Sequence, residues 1–332
     1  MNESSGKTVS PPSISVVVCT SGVRSTLERT VLSLMEQSLP MDNYELVLVV
    51  NAPEESTCLE VRNSLSHLDV ESKTRLRYVH EPQPGLSLAR NAGIHASEGR
   101  YIAFIDDDGL AEPEWLEQIV QRFDANEKVA SVGGNIFPVF EETPPSWVTP
   151  QLYPYFSCFI FSKEETFLEP GRYFFGTNMS FRKDVLLASG GFDARLGRKG
   201  DSLLSNEEWT VFHYIDQQNL LKLSSPQVNV HHIIPPSRLI RRFFVRRLWW
   251  QGVSDTVFQL QLDRRDKWWV VKNALNKFGE YYGSLLEKLR TGVSTKHLAF
   301  FNLFRWGGII YALCTVPAAE QCKPNNKGSF HD

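Results

Sequence analysis

The sequence predicts an α/β fold: a mostly parallel central sheet flanked by helices, with a C-terminal helical extension. Three observations carry that prediction. Short apolar runs alternate with amphipathic stretches from Ser13 to Phe137, and such alternation builds parallel sheets covered by helices on both faces. The run from Ile14 to Cys19 is apolar without a break, as a central strand buried on both sides must be. The run from Tyr101 to Ile105 ends directly in Asp106, Asp107, Asp108 and Gly109, and open α/β sheets bind ligands beyond the carboxyl ends of their strands.

The elements follow in order. After the first strand, Ser25 to Gln37 reads as a helix with Leu27, Val31, Leu34 and Met35 on one face and Ser25 as its N-cap. Leu46 to Val50 is a second strand, ending at Asn51, and a polar helix then runs to about Leu65. Leu76 to Val79 is a third strand. Pro84 and Gly85 lead into a helix from Ser87 to Ala96. The strand that bears the aspartates is followed by a helix from Trp115 to Phe123 and a strand from Val129 to Phe137.

Pro138 to Arg172, rich in Pro, Glu and aromatics, reads as an irregular excursion. Its Trp147, Tyr153, Tyr155 and Phe156 either stack on a ligand ring or pack on one another, which is the commoner arrangement. A strand from Phe174 to Phe181, a short helix closed by Gly190 and Gly191, and a glycine-rich loop from Arg195 to Ser205 come next. Glu207 and Glu208 open an apolar helix, and Val228 to Ile234 forms a strand carrying His231 and His232.

Composition narrows the function. With 332 residues the chain exceeds one typical domain, and 42% hydrophobic residues suffice for a large core. A net charge of −3 gives no reason to expect nucleic acid. Five scattered cysteines without metal-ligand spacing fit a reducing compartment. The expected organisation is a disordered lead over 1–12, a catalytic domain over 13–235, a helical region over 236–316 and a disordered tail over 317–332. Neither a GxGxxG fingerprint nor a GxxxxGK[ST] loop is present.

The acidic triplet has two readings. It is a solvated turn capping the helix that starts near Pro113, or it is a site for a hard divalent cation, which relieves the repulsion among adjacent carboxylates. The wider pattern favours the second. Ile14 to Thr20, Pro84 to Ile94, Ala96 to Asp108, Phe175 to Arg182, Gly190 to Asp193 and Leu203 to Glu208, taken together and in this order, resemble family 2 glycosyltransferases over roughly Ser13 to Arg247. The resemblance implies the GT-A fold, a nucleotide-diphosphate-sugar donor, inversion at the anomeric carbon and a divalent metal, Mn²⁺ or Mg²⁺.

It also implies roles for single residues. The DxD motif falls on Asp106 and Asp108, with His232 as a further metal ligand, and Asp107 is placed on ribose or sugar hydroxyls. Thr20 and Asn51 fall beside the base, Arg90 beside the diphosphate or base, and Gly176 and Asn178 beside the bound sugar. The family's catalytic base is the second acid of Glu-Asp; here that position holds Glu208, one methylene longer, with Glu207 in reserve. The acceptor is expected to be a glycan or a lipid-linked glycan. A sugar-phosphate nucleotidyltransferase, or a catalytically silent sugar- or membrane-binding protein on the same fold, is the alternative.

The C-terminal region adds a surface. Arg238, Arg241, Arg242, Arg246 and Arg247 are interleaved with Phe243, Phe244, Trp249 and Trp250. Four of the five arginines fall on one helical arc, which suits an anionic membrane or a lipid diphosphate; a solvated face is the alternative. Trp268 and Trp269 extend the same belt. Leu298 to Val316 is apolar but interrupted by Asn302, Arg305, Gly307 and Gly308, so an interfacial or packed helix is expected rather than a span. The expected location is cytoplasmic, peripheral at the inner face of a membrane.

Overall fold

The structure is a computed structural model that describes residues 11–68, 75–161, 163–200, 202–262, 265–290 and 296–317. The expected lead and tail lie almost wholly outside those residues. The chain divides into two compact units, the described residues of Met1–Ser202 with Glu207–Ile240 and those of Leu203–Asn206 with Arg241–Asp332. The change of unit comes at Ile240, five residues after the expected boundary.

The first unit is an α/β layer structure. Its nine strands are β1 (Ile14–Thr20), β2 (Tyr44–Asn51), β3 (Arg75–Glu81), β4 (Tyr101–Asp106), β5 (Gly109–Ala111), β6 (Val129–Phe140), β7 (Thr166–Phe167), β8 (Met179–Arg182) and β9 (Leu221–Ile234). They form one sheet in the order β3-β2-β1-β4-β8-β6-β9-β5, with β7 on β9. The first four are mutually parallel, and β6 runs parallel to β9. The short strands reverse: β8 is antiparallel to β4 and β6, and β5 and β7 are antiparallel to β9.

Alternation along each strand supplies two cores. Val16, Val18, Leu46, Leu48, Ala103 and Ile105 pack on one face against α1 (Ser25–Met35), α2 (Glu55–Leu65) and α4 (Trp115–Ala125). Val17, Val47, Val49, Ile102 and Phe104 pack on the other against α3 (Leu86–Ala96), α5 (Lys183–Ala188) and α6 (Trp209–Gln217). Successive side chains of a strand point to opposite faces, so an unbroken apolar run feeds both layers at once.

Three local expectations are corrected. Ser25 is the first helical residue rather than the cap; extended Arg24 precedes it, and no side chain caps α1. The expected strand from Phe174 is a strand only over Met179–Arg182, because Asn178 N bonds Phe175 O at 2.9 Å and closes a turn. Alternating aromatics imitate strand periodicity there, while Phe174 fills the second core. The expected strand at Val228 is the second half of the 14-residue β9. Within the Pro138–Arg172 excursion, Trp147 and Phe156 are buried and Tyr153 lies 5.8 Å from Phe140, so the aromatics pack on protein.

The second unit contains α7 (Arg241–Val257), α8 (Lys267–Arg290) and α9 (Lys296–Thr315). α7 and α9 meet backbone to backbone. A Cβ on Gly252 would lie 2.0 Å from Arg305 O, and one on Gly308 would lie 2.1 Å from Trp249 O. Asp255 of α7 pairs with Arg305 of α9 at 2.6 Å, which gives the intrahelical arginine its counter-charge. Among the described residues no helix is long and apolar enough to cross a membrane. Only three of the five arginines stay on the exposed surface of α7: Arg241, Arg242 and Arg246. Arg247 is buried in this unit, and Arg238 belongs to a 3₁₀ turn before the helix.

Candidate active site

Three strand ends and the start of α6 converge. β4 stops at Asp106, and Asp107 and Asp108 lead into β5. The antiparallel register of β5 on β9 sets Gly109 opposite His232. His232 Nε2 therefore lies 3.0 Å from Asp108 Oδ1, although 124 residues separate them. Alternation turns His231 the other way, to Glu112 at 3.2 Å.

Asp108 and His232 form a buried charge cluster with Arg238, whose Nη2 is 2.9 Å from Asp108 Oδ2. Burial works against ionisation of Asp108, but His232 and Arg238 outweigh it and hold the carboxyl well below its usual range. Burial likewise disfavours the imidazolium, yet the Asp108 carboxylate pushes His232 up to about 10. The second ring nitrogen, Nδ1, lies 2.6 Å from Phe156 O, to which it donates. That bond fixes the ring with Nε2 toward Asp108, as a ligating histidine requires.

Asp106 does not join this pair. Its Oδ2 accepts from Thr177 Oγ1 at 2.6 Å and its Oδ1 lies 3.3 Å from Arg90 Nη2. Among the described residues no three His, Cys, Asp or Glu side chains converge on one point that could hold a metal. Asp107 faces a third way: Thr20 Oγ1 donates to its Oδ2 at 2.7 Å and Arg24 Nε lies 3.2 Å away. Burial, then the neighbouring Asp108, push the Asp107 carboxyl up to about 6, against the pull of Thr20 and Arg24. Asp106 and Asp108, the two acids of the DxD motif, thus meet different partners, because strand geometry ends at Asp106.

Arg90 is the hub of the second cluster. It is 3% exposed, and its Nη1 donates to Glu207 Oε1 at 2.8 Å and lies 3.5 Å from Glu208 Oε1. Gly176 is an absence that makes room: a Cβ there would stand 2.1 Å from Arg90 Nη2 and 3.0 Å from Glu208 Oε1. Glu208 sits at the N-cap of α6. Burial and then Glu207 push its carboxyl up to about 7, with Arg90 pulling it back only in part. Glu207 Oε2 is buried without a hydrogen-bond partner.

Two expected ligand contacts have other work. Asn51 donates to Glu81 O and Gln83 O and accepts from Gly85 N, all within 2.9 Å, so it orders the turn before α3. Asn178 donates to Asn135 O and Val228 O and accepts from Trp115 Nε1, and it is 1% exposed. Thr20 stands at the site, on Asp107. Two residues of the site carry no role there in the sequence reading: Thr177, inside the Phe175–Arg182 motif, and Arg238, in the basic stretch that follows His232; a hydroxyl or cation there was the available signal.

Comparison with known proteins agrees with this geometry. The profile described as glycosyl transferase family 2 matches residues 15–189. The glucosyl-dolichyl phosphate glucuronosyltransferase of Haloferax volcanii is 30% identical over 253 residues, covering 74% of this chain and 77% of that one. The mannosyltransferase PcManGT from Pyrobaculum calidifontis, solved with GDP-Man and Mn²⁺, superposes with a TM-score of 0.53 at 18% identity, over 92% of this chain and 86% of that one. GalNAc-T7, solved with UDP, GalNAc and Mn²⁺, gives 0.53 at 16% identity, over 75% of this chain but half of its own. The fold is GT-A, and the chain belongs to glycosyltransferase family 2.

Proposed function

We propose that this glycosyltransferase moves a sugar, with inversion, from a nucleotide-diphosphate donor to a hydroxyl of a glycan or lipid-linked acceptor. The observation that carries the reading is Glu208, a buried carboxyl held near neutrality beside Glu207 and Arg90 at the start of α6. A base tuned close to the working pH combines the right protonation state with driving force for proton transfer. Glu208 takes the proton of the acceptor hydroxyl as that oxygen bonds the anomeric carbon. The bond from that carbon to the phosphate oxygen breaks, and its electron pair leaves with the nucleotide. Attack opposite the leaving group inverts the centre.

Asp108 and His232 offer a hard oxygen and an imidazole nitrogen side by side, 3.0 Å apart, a donor pair of the kind a divalent cation accepts once the imidazolium gives up its proton. Asp108 and His232 would hold the ion, with Asp106 the further acid of the motif, and the ion would supply positive charge to the departing diphosphate. Thr20 and Asp107 would meet the nucleoside side of the donor. Arg90 fixes the acids in place and keeps Glu208 oriented. Gly176 leaves the space that the sugar and base share.

The second unit would bring the enzyme to its acceptor. Residues 241–317 hold thirteen Lys or Arg against five Asp or Glu, although the whole chain is net negative. Arg241, Arg242 and Arg246 are exposed, as is Trp268 at 77%. Basic and aromatic groups together suit an anionic bilayer surface, which supports a reaction at the cytoplasmic face of a membrane. The Haloferax relative is a glucosyl-dolichyl phosphate glucuronosyltransferase, and that supports a lipid-linked acceptor here.

A panel of nucleotide sugars, screened with and without Mn²⁺ for thermal stabilisation and then for transfer, tests the reading. One donor should stabilise the protein in a metal-dependent way, and the product anomer, read by NMR, should be inverted. Retention of configuration, or no stabilisation by any nucleotide sugar, would overturn it.

A further inference from the structure

We propose that a cavity on α6, next to Glu208, is a saccharide subsite that grips the acceptor. The inference rests on the glycosyltransferase reading above and adds the chemical class of what the enzyme holds on its acceptor side. The cavity is about 320 Å³ and is lined by Arg172, Tyr173, Trp209, His213, Asp216 and Gln217, among others. That volume lies at the lower end of small-molecule sites, roughly 300–1,000 Å³.

Its position follows from the chain. Trp209 is the residue after Glu208, so their Cα atoms are about 3.8 Å apart. Tyr173 lies three residues before Gly176, whose missing Cβ leaves room for Glu208 Oε1. The Tyr173 and Trp209 rings are 4.8 Å apart, and Phe175 continues the aromatic row 6.1 Å from Tyr173. The row thus lies on the two chain segments that carry Glu208 and Gly176.

The wall is built rigidly. Lys222 is 2% exposed, and its Nζ donates to Arg172 O at 2.8 Å and pairs with Asp216 Oδ1 at 2.5 Å. Asp216 Oδ2 accepts from Gly171 N at 2.8 Å, which ties the same loop to α6. A cavity ordered before binding spends less entropy on its ligand.

The chemistry selects the occupant. A sugar ring has an apolar C–H face and a rim of hydroxyls. Tyr173 and Trp209 offer aromatic surface, while exposed His213 and Gln217, 2.9 Å from each other, keep further hydrogen-bonding capacity on one side of α6. A hydrocarbon tail would cover that polar pair without using the capacity it retains. An isolated phosphate would meet the Asp216 carboxylate. A saccharide satisfies both parts, and its neighbouring unit would then present a hydroxyl to Glu208.

The test is saturation-transfer NMR on the full chain with methyl glycosides of glucose, galactose, mannose and N-acetylglucosamine. UDP and GDP with Mn²⁺ are measured in the same samples. At least one glycoside should receive saturation along one ring face. Its affinity should weaken about tenfold in Tyr173→Ala, from lost ring contact. The exposed pair His213→Ala/Gln217→Ala should weaken it by a similar factor through lost hydrogen bonds. The exposed double variant should keep the thermal midpoint within about 2 °C of wild type, and Tyr173→Ala, which loses ring packing, is measured well below its own midpoint. Nucleotide binding with no glycoside binding would sink the subsite and leave the glycosyltransferase reading standing. Glycoside binding unchanged in both variants would also sink it. A protein that binds neither nucleotide nor glycoside would sink both.

Discussion

Arg90 and Glu207 are 117 residues apart in sequence and 2.8 Å apart in space. The contact separates the roles of two adjacent acids. Glu207 is bound to the guanidinium, whereas Glu208 stands 3.5 Å from it and is left to titrate near neutrality. One acid holds the site together and the other is free to exchange a proton.

Glu208→Gln should therefore cut turnover at saturating donor by roughly 10²–10⁴, the range for losing a general base. Donor affinity should persist. Glu207→Ala should instead lower stability by about 3 kcal/mol, because it strands Arg90 without its nearest partner. Steady-state kinetics beside denaturant melts of the two variants would separate the roles. Reversal of the two outcomes would move the base to Glu207.

Turnover should rise with pH through about 7, because Glu208 must be deprotonated to act and its carboxyl is pushed up to about 7. Stability responds in the opposite sense. From the ordinary 4.5 up to about 7 the folded state keeps a proton that the unfolded chain has lost, so Glu208's contribution to stability declines across that window. A kcat–pH profile whose acid limb vanishes in Glu208→Gln checks the first statement, and melts at fixed pH check the second.

Asp108→Ala should abolish Mn²⁺-dependent binding of nucleotide diphosphate. Titration calorimetry with UDP or GDP, with Mn²⁺ and with chelator, is the measurement. Binding with unchanged metal dependence would take Asp108 out of the donor site.

Vesicles containing anionic lipid should sediment the protein at low salt and release it as salt rises, since surface charge is screened. Replacing Arg241, Arg242 and Arg246 with Glu should weaken that binding by at least about 10²-fold, at about 1 kcal/mol per basic residue. Equal sedimentation of wild type and variant would return these arginines to a solvated face.

Gly308→Val should destabilise the helical unit by about 1–3 kcal/mol, the cost of forcing atoms into a filled space. A Cβ there would stand 2.1 Å from Trp249 O. A thermal midpoint that does not fall would mean the two helices separate readily.

Much of this was legible in the sequence because its strongest signals are physical. Ile14–Thr20 and Tyr101–Asp106 are apolar runs that must be covered on both faces, and they lie at the centre of the sheet. The resemblance singled out His232 over His231, alternation puts the two on opposite faces, and in the structure His232 Nε2 lies 3.0 Å from Asp108. What stayed hidden depends on long-range pairing. β5 is three residues long and has no periodicity to read, yet its register brings Asp108 to His232. The resemblance set Arg90 beside the diphosphate or base, and nothing near it in the sequence announces the three carboxylates that surround it in the structure. It set Asn51 and Asn178 beside the ligand, and the backbone partners they hold in the structure leave no mark in the sequence either.

β9 is 14 residues long and bears Lys222 near one end and His232 near the other. Lys222 is in register with Ser131 of β6 and His232 with Pro138, seven positions on, so the two stand roughly 23 Å apart, with a bulge in β9 between Ser225 and Val230. The strand therefore acts as a ruler between the loop that walls the α6 cavity and the acid it pairs with at the donor side. Because side chains change face at every step, one inserted residue would present His231 to Asp108 and carry His232 away. Relatives of this enzyme can lengthen their loops freely, but along β9 they should differ by even numbers of residues, or carry a bulge that restores the phase.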